Sequence, residues 1–61
     1  MPLINIKILE GFSREVKANV SKKVTDVIFE ETKVPKENCW IIFEDIPKAE
    51  WSAGGKLLDE H

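Results

Sequence analysis

Pro2 stands directly behind Met1. A small second residue lets aminopeptidase remove the initiator methionine, and Pro2 would then carry a free secondary amine. An ordinary α-amino group titrates at roughly 7.7–8.0, and apolar surroundings lower that value by disfavouring the cation. A neutral amine held at the head of a strand can act as a general base or attack a carbonyl. The rest of the chain offers little competing chemistry. Cys39 is the one cysteine and His61 the one histidine, so neither an internal disulfide nor a cysteine–histidine metal cage can form. Cys39 reads as a small buried apolar residue. Glu44 and Asp45 are neighbours in a strand-like run, project to opposite faces and cannot pair as acid and base; both are expected at a solvated strand end. Gly54-Gly55 signals a turn, since no strand-to-helix context surrounds it. His61 is expected to be solvated. No metal or cofactor is expected.

The elements that must position Pro2 follow from periodicity. Leu3 to Leu9 alternates, with Ile4, Ile6 and Ile8 on one face and Leu3, Asn5, Lys7 and Leu9 on the other, which predicts a strand. Glu10-Gly11 breaks it. Ser13 is the expected N-cap of a helix, with Glu15 in its first turn. Val16, Val20, Val24, Val27 and Ile28 then form one apolar stripe, while Lys17, Lys22, Lys23, Asp26 and Glu30 are expected on the remaining surface. Pro35 ends the helix near Thr32. Cys39 to Glu44 reads as a buried second strand. Strand, long helix and strand predict two parallel neighbours. The tail from Pro47 to Leu58 reads as loop plus a short β-hairpin. The expected class is therefore α+β, a β-α-β subunit with a two-stranded parallel sheet and a C-terminal hairpin, in a single domain spanning residues 1–61.

Composition adds a demand for partners. The chain has 61 residues, and a domain this small buries only ~60% of its unfolded surface. Yet 43% of the residues are hydrophobic, including seven isoleucines and two tryptophans. One helix on one face of two strands leaves the other face bare, and another copy of the chain is the simplest cover. The net charge is −2, and eight of the nine basic residues are scattered lysines, so no nucleic-acid partner is expected. Arg14 is the only arginine. The longest apolar run, Cys39 to Phe43, is far too short to span a membrane. No signal-peptide pattern opens the chain, so a cytoplasmic setting is expected.

The run Pro2-Leu3-Ile4-Asn5-Ile6-Lys7-Ile8-Leu9-Glu10-Gly11, the helix that follows, the Val34-Pro35 loop and the segment Trp51-Ser52-Ala53-Gly54-Gly55 together resemble the 4-oxalocrotonate tautomerase family over essentially the whole chain. The resemblance implies a homo-oligomer, a hexamer built as a trimer of dimers. It implies that Pro2 moves a proton between atoms of a small carbonyl substrate. Leu9 matches the residue whose backbone lies at the substrate site, and Trp51 the aromatic that keeps the pocket apolar. Where the family's well-studied members carry two substrate-binding arginines, this chain has Phe12 and Trp40. Losing a donor aimed at developing oxyanion charge typically costs ~100–1,000-fold in rate. Two readings of Phe12 and Trp40 stay open: they wall a more hydrophobic pocket for a less charged or aromatic carbonyl substrate, or they fill a subunit interface. Trp51 is likewise a site wall or an interface anchor. The alternative for the whole chain is a non-catalytic oligomer that keeps the fold without the reaction. Lyase, hydratase or dehalogenase chemistry from the same amine is a third reading that the missing arginines disfavour.

Overall fold

A computed structural model describes residues 1–60, so the expectation for His61 lies outside the described residues. The first strand, β1, is Leu3–Leu9, and the helix, α1, is Arg14–Thr32. Ser13 caps α1 by accepting the Val16 N–H on its Oγ at 3.2 Å. At the far end Lys33 adopts a left-handed conformation (φ 63°) and donates its N–H to the Phe29 carbonyl. Thr32 Oγ1 donates to Ile28 O at 2.7 Å and accepts from the Val34 N–H, which closes the last turn before Pro35. A short 3-10 turn, Lys36–Asn38, leads into the second strand, β2, Trp40–Ile46.

The two strands are parallel, in register from Leu3 opposite Trp40 to Leu9 opposite Ile46. The expected strand from Cys39 to Glu44 is thus displaced. Cys39 closes the 3-10 turn through its N–H to Lys36 O, and pairing with β1 carries β2 two residues further. Pro47, which has no N–H to donate, stops it. A second 3-10 turn, Lys48–Glu50, precedes the antiparallel hairpin of β3 (Ser52–Ala53) and β4 (Lys56–Leu57). Gly54 and Gly55, at φ 62° and 83°, make its two-residue turn, which requires positive φ at both positions. The β-α-β order, parallel sheet and terminal hairpin are those expected from the sequence.

Alternation and the register put Ile4, Ile6, Ile8, Ile41, Phe43 and Asp45 on one face of the sheet, with α1 above it. Asp45 pairs with Lys17 of α1 at 2.7 Å. Lys17, placed by periodicity on the outer surface, therefore faces the sheet. The expected valine stripe splits for the same reason. Val24 and Ile28 are half-buried, while Val16, Val20 and Val27 stay exposed, because two strands spaced about 4.8 Å apart are narrower than the apolar arc above them.

The other face carries Leu3, Trp40 and Ile42, which are 60%, 54% and 47% exposed. In its middle Asn5 Nδ2 donates to Glu44 Oε1 at 2.6 Å. Glu44 and Asp45 do point to opposite faces as expected, yet each has a partner rather than solvent alone. Among the described residues none is fully buried. The radius of gyration is 14.6 Å, against about 10.5 Å for a compact chain of this length. No helix among the described residues is long and apolar enough to cross a membrane.

Candidate functional site

Pro2 is half-buried at the head of β1. Its carbonyl accepts the Trp40 N–H at 3.0 Å, one rung before the ladder proper, so the ring is anchored to the start of β2. With Met1 attached, the Pro2 nitrogen is an amide without a basic lone pair. Met1 itself is 76% exposed and accessible to an aminopeptidase. The Trp40 side chain belongs to the helix-free face, next to Leu3, whereas Pro2 continues the alternation of Ile4, Ile6 and Ile8. One chain therefore joins Pro2 and Trp40 through the backbone while sending their side chains to opposite faces.

Leu9, Phe12 and Trp51 lie elsewhere. Leu9 closes β1 opposite Ile46, and the next residue, Glu10, donates its N–H to the Ile46 carbonyl. Six residue steps at about 3.3 Å put this end about 20 Å from Leu3, and Pro2 lies one step beyond. Phe12 follows, 54% exposed, beside an apolar pocket of about 130 Å³ lined also by Ile6, Ile8, Val16 and Val20. Trp51 is half-buried past the end of β2, its N–H on Lys48 O and its carbonyl accepting the Leu58 N–H, which ties the hairpin back onto the preceding turn.

A single chain thus gathers two clusters, Pro2 with Trp40 and Leu9 with Phe12, at opposite ends of β1. Of the cations near these positions, Lys7 stands on the helix-free face in register with Glu44, and Lys48 is exposed in the second 3-10 turn. Arg14 and Lys17 line a wider groove of about 420 Å³ with Ala18, Ser21 and Phe43. Sequence periodicity had no means of finding this groove, since it placed Lys17 on the outer surface. Among the described residues, Asp26 is the one group with a clear electrostatic shift. The Lys36 ammonium, 2.9 Å away, hydrogen-bonds its carboxylate, and the charges of Lys36 and Lys22 add to the effect, lowering its pKa below the ordinary 3.8 despite slight desolvation.

The topology has close counterparts among solved structures. The family model described as tautomerase enzyme matches residues 2–61. A probable tautomerase of Bacillus cereus is 37% identical over 60 residues, covering 98% of each chain. The structure of YwhB, a homologue of 4-oxalocrotonate tautomerase, superimposes with a TM-score of 0.92 at 32% identity over 98% of each chain. A heterohexameric 4-oxalocrotonate tautomerase of Chloroflexus aurantiacus gives a TM-score of 0.90 at 30% identity, covering 98% of this chain and 97% of the other. With the family pattern matched from Pro2 to the last residue and the β-α-β frame shared throughout, the chain belongs to the tautomerase family.

Proposed function

We propose that this chain, freed of Met1, is an isomerase whose Pro2 imino nitrogen is the general base for keto–enol or double-bond isomerisation of a small carbonyl acid. The nitrogen takes a proton from the enol oxygen or a carbon and returns it to another carbon, so composition is unchanged and no cofactor is required. The observation that carries the reading is Pro2 itself, seated at the head of β1 with its carbonyl held by Trp40 in a chain of this family. The site would be more hydrophobic than the family norm, with Phe12 and Trp40 where arginines stand in well-studied members. The 61-residue chain would act as one domain, in the cytoplasm.

The site is completed by further copies, as a homo-oligomer and most simply a hexamer. The 20 Å between the two clusters supports this, because Pro2 meets Leu9 and Phe12 only across a chain boundary. β1 has a free outer edge, since β2 is its only partner among the described residues. Antiparallel pairing of two β1 edges about a two-fold axis would set Pro2 of one copy against the Leu9–Phe12 end of the other. Leu9 would then lend backbone to the site, with Phe12, Trp40 and Trp51 as apolar walls.

The test is Pro2→Ala beside the parent protein, both checked by intact mass for loss of Met1. Turnover of an aryl enol should fall about 10²–10⁴-fold, the usual worth of a positioned base. Equal turnover by the two proteins would instead favour the non-catalytic reading.

A further inference from the structure

We infer that the helix-free face of the sheet docks on the same face of another copy, pairing Lys7 of one chain with Glu44 of the other. Leu3, Trp40 and Ile42 make one end of this face apolar, and Leu9 with Ile46 the other. Between the two ends lies a single charged rung. Lys7 and Glu44 are Cα partners across the parallel ladder, yet they form no ion pair within the chain. Half-buried Glu44 turns instead to Asn5, whose Nδ2 donates to Oε1 at 2.6 Å. Among the described residues nothing bonds its Oε2, and the exposed Lys7 ammonium has no carboxylate partner.

Charge and geometry choose the occupant. One unpaired ammonium and one half-satisfied carboxylate leave the rung neutral and complementary to itself, as contact between identical faces requires. A nucleic acid or an acidic peptide would satisfy Lys7 and leave the Glu44 carboxylate repelled and desolvated, which is costly. Pairing of two β1 edges does not cover the face. Antiparallel strands related by a two-fold axis normal to the sheet keep both helices on one side, so both helix-free faces stay bare. The apolar ends shut water out around the rung, where opposite charges are held and like charges repel with little screening. The rung therefore selects the register in which two apolar faces can meet. This inference deepens the homo-oligomer reading, on which it rests for the identity of the occupant, and is independent of the Pro2 chemistry.

Mixing charge-reversed chains isolates a contact made between copies. Lys7→Glu makes the rung wholly acidic, and Glu44→Lys makes it wholly basic. Each variant alone should self-associate through this face about 100-fold more weakly than the parent and sediment as a smaller species. An equimolar mixture, with one chain isotopically labelled, should recover the parent's size, and native mass spectrometry should find both chains in the recovered species. Mixing cannot repair a contact within one chain, so recovery assigns the pair to two copies even where a variant alone folds poorly. Parent-like assembly of either variant alone, or a mixture no larger than its components, would overturn the pairing while leaving the oligomer itself intact. A monomeric parent would overturn both. Pro2→Ala should assemble as the parent does, so turnover lost in that variant bears on the base and not on this face.

Discussion

On the proposed isomerase reading, Phe12 and Trp40 would set what kind of acid the site takes. Each places an aromatic face where a guanidinium would neutralise a carboxylate, so a dicarboxylate dienol should be a poor substrate beside an aryl enol. Phe12→Arg should raise kcat/KM for the dicarboxylate at least tenfold while lowering that for the aryl enol, in steady-state assays on matched oligomers. A variant that left the ratio unchanged would place Phe12 in an interface. At this scale the sequence was informative where chemistry depends on residue type alone: Pro2 is legible because only an N-terminal proline yields that amine. Arg14 was visible as the sole arginine, but its neighbours were not. They come from α1 and β2, and no local pattern brings Ser21 and Phe43 to one groove.

The helix and the strands hold these residues by ordinary local means. Ser13 satisfies the Val16 N–H at the start of α1, so Ser13→Ala should cost about 1 kcal/mol in urea denaturation. At the other end, Asp26 bridges Lys22 and Lys36 and so links α1 to the turn before β2. Its carboxyl titrates lower in the folded chain than unfolded, so its contribution is present above the unfolded value of 3.8 and is lost as pH falls through the folded one. Asp26→Asn should accordingly flatten the acid limb of stability against pH; an unchanged limb would show that the lysines merely visit it. β1, α1 and the hairpin were readable because each has its own period, cap or turn. The end of β2 was not, since pairing with Ile8 and Leu9 carries the strand past Glu44 to Asp45 and Ile46, beyond the local apolar run.

As a whole the chain is a flat half-structure. Its accessible surface is 4827 Å², roughly 800 Å² more than the about 4,000 Å² expected of a compact protein of 7.0 kDa. That excess is the size of one partner's share of a standard interface, about 800 Å². The helix-free face is the natural place to bury it, with Leu3, Trp40 and Ile42 on it. Ile42→Asp should shift the protein to smaller species in sedimentation and lower its Tm, and the parent's Tm should rise with concentration. A monodisperse monomer in the parent would end the shared-site account. The expectation of partners comes from composition, because 43% apolar residues exceed what one helix and two strands can enclose. Which face would stay bare required the register.

The most direct measurement is an isotope-edited NMR titration of the Pro2 nitrogen in the processed oligomer. The account predicts a pKa below the ordinary α-amino range of roughly 7.7–8.0, with activity rising as pH climbs through the same value, because the neutral amine is the base. A nitrogen that titrates at or above that range, or activity that ignores its protonation, would contradict it.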